Sequence, residues 1–269
     1  MKSSTILRWG IRFYIGVFFL YLFTPLVIMG LATFNDSRFP TISPWKGFTL
    51  KWFEALAQDG AMWDALLTSV IVAIGVLLIA VPVGICCALF LSTIQGRGKT
   101  FIYSLMMSPL LTPGVIVGIS TLIFWKGLSV SGGMLLTVIA QTTFISAYVM
   151  LMVLARLQRF DRTLEQAAMS LGATQWQTFR RILLPYLKPA VISAAVIAFL
   201  QSFENYNTTL FVKGYDTTLT VYIASKVRTG LTPSVNALGL LMIFITVVIA
   251  ILYERKRRQE EAAKVNIDS

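Results

Sequence analysis

The sequence predicts an all-α membrane protein, six transmembrane helices in one domain covering residues 1–269. Three observations carry that prediction. Of 269 residues, 56% are hydrophobic and 13% charged, against roughly 25% charged in a soluble domain. Lys, Arg, Asp and Glu are absent from 13–34, 65–95, 101–125, 127–155, 189–203 and 229–253. Five of these runs reach the ~20 residues that cross a bilayer as a helix. The remaining one is closed by Glu204 and regains apolar length through 205–212. The expected spans are 13–34, 65–94, 101–125, 134–155, 189–212 and 229–253.

The first span follows a basic stretch (Lys2, Arg8, Arg12) and is too long for the ~7–15-residue apolar region of a signal peptide, so a retained helix is expected. Residues 35–64 then hold turn formers (Asn35, Asp36, Pro40, Pro44, Gly47). They lead into "TLKWFEALAQ", where Leu50, Phe53, Leu56 and Ala57 share a helical face and Thr49 is placed to cap it. Trp45, Trp52 and Trp63 suit a membrane interface. After the second span, "QGRGKT" (95–100) reads as a tight turn.

The third span contains "SPLLTPGVIVGIS". Pro109 and Pro113 must kink or break it. Gly114 and Gly118 form a G-x-x-x-G that permits close helix approach. Packing is one reading of these residues and a gating hinge the other. The fourth span ends near Ala155, and the tail 254–269 is charged and expected to fray.

The net charge of +11 is explained by topology rather than by nucleic acid. With both termini on the cytoplasmic side, 16 of the 23 Lys and Arg fall inside and 7 outside, as the positive-inside rule requires. Cys86 and Cys87 are adjacent, which precludes a ready disulfide between them. There is no histidine, which excludes His-based triads and His-containing zinc sites. No G-x-x-x-x-G-K-[ST] is present, so the chain has no P-loop of its own.

Between the fourth and fifth spans lies a polar, basic segment, 156–188. "RTLEQAAMSLG" reads as a short helix. Thr163 and Gln166 have the spacing of a capping box, and Gly172 sits where a left-handed C-cap needs no Cβ. "TQWQTFRRILL" reads as a second helix capped by Thr174, after which Pro185 and Pro189 return the chain to the membrane. Small residues (Ala167, Ala168, Ala173) lie at the corner and leave room for another protein.

This elbow resembles the EAA loop of permease subunits of ABC-type importers: E-A-A, three residues, Gly, nine residues, I-x-L-P. Here it runs Gln166-Ala167-Ala168, three residues, Gly172, nine residues, Ile182-Leu183-Leu184-Pro185. The Glu position of the pattern holds Gln166, with Glu165 immediately before it. Further along the chain, "FNDSRFPTISPWKGFTLKWFEAL", "LLTPGVIVGIS" and "TPSVNALG" (232–239) resemble segments of spermidine/putrescine-type permeases. The resemblance implies a type I importer permease fold in a bacterial inner membrane. It implies a second permease subunit, two cytoplasmic ATPase subunits and an external solute-binding protein as partners. ATP and its magnesium would be bound by the partners, leaving this chain without a cofactor or a catalytic residue. Glu165, Gln166, Ala167, Ala168, Leu171, Gly172, Ala173 and Pro185 would form the coupling surface.

Glu204 is the only acidic residue inside an expected span, where a carboxylate costs ~2.5–3.5 kcal/mol on insertion scales. In "QSFENYNTTLF", Gln201, Glu204, Asn205 and Thr208 fall on one helical stripe at about 100° per residue, with Tyr206 beside it. The stripe reads as the wall of a substrate pathway, suited to an amine through ion pairing and cation–π contact. The other reading pairs Glu204 with a base of the partner permease. Polyamines, opines, aminophosphonates and amino-acid-like solutes remain open as cargo. A stand-alone secondary transporter is the weaker alternative, because internal repeats and several intramembrane charges are missing. An intramembrane enzyme is weaker still.

Overall fold

The computed structural model describes residues 2–230 and 233–265. Thr232, the first residue of "TPSVNALG", and the tail residues 266–269 lie outside them. The elements in chain order are α1 (Lys2–Thr33), α2 (Lys51–Ala57), α3 (Gly60–Thr93), α4 (Arg97–Leu111), α5 (Gly114–Gly127), α6 (Met134–Leu157), α7 (Thr163–Ser170), α8 (Gln175–Thr178), a π-helical turn (Phe179–Leu183), α9 (Leu184–Phe203), α10 (Thr209–Val212), α11 (Leu219–Thr229) and α12 (Pro233–Val265). No strand occurs among the described residues; the one β-bridge joins Asn35 to Phe48.

Five helical stretches are long and apolar enough to cross a membrane: Leu7–Thr33, Gly60–Thr93, Met134–Leu157, Gln175–Phe203 and Pro233–Leu252. Gly98–Leu111 and Gly114–Gly127 are long and apolar enough only as a pair, bent by 99°, the geometry of a broken span or of a re-entrant loop. The expected third span is therefore broken. Thr112 is extended (φ −84°, ψ 131°), as the residue before a proline prefers, and Pro113 opens α5. Pro109, by contrast, sits inside α4 without ending it.

The chain divides into two compact units, Met1–Gly60 with Ile223–Ser269 and Ala61–Tyr222. In the first, α1 meets α12 at Gly30 and Gly239: a Cβ on Gly30 would lie 3.5 Å from Leu240, and one on Gly239 would lie 3.0 Å from Met29. Asn35 is fully buried and pins the loop that follows α1. Its Nδ2 donates to the Thr41 and Pro44 carbonyls (2.8 and 3.1 Å), and its Oδ1 accepts the Lys46 N–H (2.8 Å). Phe34 stacks on Phe48 at 5.4 Å, and Lys51 pairs with Asp36. The short helix begins at Lys51, with Leu50 and not Thr49 at the cap; only Leu56 of its expected apolar face is buried. Thr49 instead accepts the Lys51 N–H from outside the helix. The charged tail does not fray where described: α12 continues to Val265, in a stretch rich in the strong helix formers Glu, Arg, Ala and Lys.

The second unit is organised by α6. Over half of its apolar window is buried (56%), against 28% for α3, so α6 is the helix the others cover. α3 lays a stripe of small and medium side chains on it, from Val72 through Val76, Ala80, Gly84 and Ala88 to Leu91. At Gly84 the two helices touch: a Cβ there would meet Val149 at 2.6 Å and the Met150 backbone N at 2.9 Å. α9 covers another face through Leu187, Ala194 and Ala198. The N-terminus of α6 is held by a remote residue. Met134 N–H donates to Asp216 Oδ2 at 2.7 Å, placing a carboxylate where the helix dipole favours it.

Candidate functional sites: the polar elbow and the turn that ends the fifth span

The elbow forms as expected at its corner. Gly172 has φ +87°. Ala173 N–H donates to the Ala168 carbonyl (3.0 Å) and Gly172 N–H to that of Met169 (2.9 Å). These are the two bonds of a Schellman ending, which needs a left-handed residue at this position. Thr174 caps α8 with a full capping box: Gln177 N–H donates to Thr174 Oγ1, and Thr174 N–H to Gln177 Oε1.

The box expected at Thr163 and Gln166 is absent. Arg162 is the N-cap of α7, because Asp161 claims the donors first. Its Oδ1 accepts the Thr163 N–H (2.9 Å) and hydroxyl (2.7 Å), a local turn of the kind Asp favours. Those two bonds, the backbone one foremost, hold the Asp161 carboxyl below the usual carboxylate range.

A second departure concerns Pro185. The segment "TQWQTFRRILL" is not a separate helix turned back by proline. It continues through the π turn into α9, giving the single span Gln175–Phe203. In the π turn Leu184 N–H reaches back to the Phe179 carbonyl. Pro185 follows directly after the π turn, as the second residue of α9, and does not end the helix.

The loop is fixed to the bundle by arginines. Arg162 Nη2 donates to the Ser92 carbonyl at the end of α3 (2.9 Å). Arg156 lies 4.1 Å over the Tyr186 ring, and the Phe160 ring is 4.9 Å from Tyr186. No residue of α7 is buried. Gln166, Ala167 and Pro185 are exposed; Glu165, Ala168 and Ala173 are half-buried. Leu171 is 89% exposed and Trp176 66%, beside exposed Leu164 and Met169. Four large apolar side chains are thus exposed on an otherwise polar loop. Of these four side chains, sequence reasoning singled out Leu171 alone for contact.

The second site lies where α9 ends at Phe203. The helical stripe Gln201–Glu204–Asn205–Thr208 does not exist as such, because Glu204 is the C-cap and 205–208 are non-helical. The cause is the polar run itself: Asn205 Oδ1 accepts both the N–H (3.2 Å) and the hydroxyl (3.1 Å) of Thr209 and so starts α10. Glu204 is exposed, and its carboxylate has no hydrogen bond or ion pair among the described residues. Gln201, Asn205 and Tyr206 are half-buried around it. Thr208 is fully buried and faces α5, its Oγ1 donating to the Gly114 carbonyl at 3.1 Å. The G-x-x-x-G thus serves close packing: a Cβ on Gly118 would lie 2.7 Å from the Thr208 carbonyl oxygen.

Beneath the turn runs a buried polar chain that sequence reasoning missed. Ser202 Oγ donates to Gln141 Oε1 (2.5 Å), Gln141 Nε2 to Thr209 Oγ1 (2.8 Å), and Thr209 in turn to Asn205. Thr220 Oγ1 donates to the Asn205 carbonyl at 3.0 Å. Gln141 is fully buried at the centre. Its signal was an amide within an apolar span. Replacing it with Leu leaves the buried Ser202 hydroxyl without its acceptor. The expected cost is about 1–3 kcal/mol, read as a lowered unfolding temperature of the purified protein in detergent, together with reduced transport.

Residues 80–258 match the family described as binding-protein-dependent transport system inner membrane component. The chain is 34% identical over 233 residues to the putrescine transport system permease protein PotI of Escherichia coli (strain K12), covering 84% of this chain and 82% of that protein. It is 31% identical over 237 residues to the spermidine/putrescine transport system permease protein PotC of Haemophilus influenzae, covering 88% and 91%. Identity to the putative 2-aminoethylphosphonate transport system permease protein PhnV of Salmonella paratyphi A is 30% over 243 residues, covering 89% and 90%. Among solved structures, a chain of a bacterial ABC transporter involved in the import of the acidic polysaccharide alginate superposes with a TM-score of 0.76 over 96% of each chain, at 18% identity. At that identity the likeness speaks for the fold alone.

Proposed function

Because the chain belongs to the family of binding-protein-dependent transport system inner membrane components, we propose that it forms half of the pathway of an ATP-driven importer for a small amine of the spermidine/putrescine kind. A second permease subunit supplies the other half, two cytoplasmic ATPase subunits supply energy, and an external solute-binding protein delivers cargo. Both termini lie on the cytoplasmic side, and the whole chain works as one permease domain. ATP binding draws the ATPases together, the elbow at Gly172 is carried with them, and the pathway opens alternately outward and inward.

The observation that supports an amine most directly is Glu204: an exposed carboxylate, free of partners among the described residues, at the C-terminal end of the span Gln175–Phe203, where the chain turns non-helical. A carboxylate placed there recognises an ammonium group, with the Tyr206 ring and the Gln201 and Asn205 amides beside it. The C-terminal ends of interrupted helices hold cations in other transporters. Identity to the aminoethylphosphonate permease supports a second reading, an aminophosphonate whose ammonium end meets the same carboxylate.

The test is uptake of labelled spermidine by cells carrying the intact system, the system lacking this chain, or the Glu204→Gln variant. Uptake is expected to vanish on deletion. A charge-assisted hydrogen bond contributes ~1.5–3 kcal/mol, so the Gln variant is expected to lose about ten- to a hundredfold. Uptake indifferent to deletion would remove polyamines as the cargo and direct the same assay to aminophosphonates.

A further inference from the structure

We infer that the open groove between the C-terminal end of α6 and the start of α9 binds the phosphate of an anionic phospholipid. The groove encloses about 430 Å³ and is lined by Met152, Ala155, Arg156, Arg159, Pro189 and Ser193, among others. Its depth in the membrane follows from the sequence. Arg156 stands in the last turn of the span Met134–Leu157 and Arg159 just beyond it, the level at which arginines reach headgroups.

The two guanidinium groups are presented differently. Arg156 is held with its Cζ 4.1 Å over the Tyr186 ring and its Nε–H donating to the Tyr186 carbonyl at 3.4 Å. That leaves its terminal N–H groups without an acceptor among the described residues. Arg159 is exposed, and its side chain makes no contact of this kind among them. The ion pairs among the described residues are Lys51–Asp36 and Lys226–Asp59, neither of which involves a residue of this groove, and no carboxylate lines it. Two uncompensated cations beside each other call for an anion, and guanidinium groups match the oxygens of a phosphodiester bidentately.

The walls choose between a lipid and a soluble anion. Met152 and Ala155 on one side and Pro189 on the other are apolar and belong to membrane-spanning helices. An acyl chain covers them, whereas a free phosphate leaves them bare. Basic pockets between spans are known to take anionic headgroups. The site is separate from the amine pathway and from the elbow corner, and it tethers the junction between span and elbow to the membrane surface.

The test uses the complete importer in nanodiscs with a photo-cross-linking residue in place of Ala190, which also lines the groove. The expected result is a phosphatidylglycerol adduct in excess over phosphatidylethanolamine. Inorganic phosphate at millimolar concentration should not suppress it. Native mass spectrometry of the same complex should show Arg159→Gln retaining about fivefold less phosphatidylglycerol, the share of one basic residue at a membrane surface. Arg159 holds no other side chain in place, so the variant assembles normally. Cross-links to the second permease instead of lipid, equal suppression by phosphate, or unchanged retention in Arg159→Gln would each overturn the proposal.

Discussion

Gly172→Val is expected to reduce cargo uptake at least about tenfold while the protein stays in the membrane at its normal level. The argument is conformational. A Cβ at Gly172 would meet no atom within 4 Å, yet the residue has φ +87°. Space is available and the backbone angle is not. A left-handed residue costs an ordinary L-side chain roughly 1–2 kcal/mol, and a β-branched one is the worst case. Relief comes by giving up the bonds from Gly172 and Ala173 to the end of α7, which re-aims α7 against α8. Asn visits this region readily, so Gly172→Asn should keep most of the uptake. The pair separates backbone geometry from loss of glycine as such. Uptake, immunoblotted membrane abundance and ATPase stimulation by cargo-loaded binding protein are the readouts. A Val variant that transports like wild type would end the coupling role proposed for the elbow.

Gly118→Val is expected to lower both stability and uptake, for the opposite reason. Here the backbone is helical and space is lacking. The added Cβ would lie 2.7 Å from the Thr208 carbonyl oxygen and 3.2 Å from its Cα. These are backbone atoms and cannot rotate away. Overpacking of this kind costs about 1–3 kcal/mol. The segment that must yield is 204–208, so the carboxylate of Glu204 moves with it. Gly127→Ala is the control: it lies on the same helix with nothing within 4 Å, and it should be silent. An unfolding midpoint for Gly118→Val equal to that of Gly127→Ala would show that the turn does not pack on α5 as described.

What was legible in the sequence was what depends on local chemistry. Absence of charge marked the spans, because a bilayer penalises it wherever it occurs. Gly172 and Thr174 were readable as caps because cap geometry requires their residue types. Pro113 after a threonine marked the break between α4 and α5. The misreadings came from competition between neighbours. Thr163 looked like a cap until Asp161 two residues earlier took its donors, and Thr49 yielded to Leu50. Pro185 looked like a stop because the π turn before it has no signature in residue type. The stripe at Glu204 assumed that α9 continued, when Asn205 turns its amide to start α10. Gln141 and Asp216 were not found at all. Their partners lie 61 to 82 residues away, and only the fold brings them together.

The π turn has one more consequence, concerning phase. The buried positions along Gln175–Phe203 include Thr178, Leu183, Leu187, Ala194, Ala198 and Ser202. From Leu183 onward they fit an ordinary helix. From Thr178 to Leu183 the step is five residues, one more than an α-helix needs to return to the same side. Straightening the turn into α-helix would rotate everything before it by about 100° relative to α9, carrying Thr178 off the core. The turn therefore acts as a one-residue frameshift between two facial patterns. Removing a single residue from Phe179–Leu183 should be absorbed by a switch to plain α-helix, while adding one leaves the elbow and the polar turn out of register.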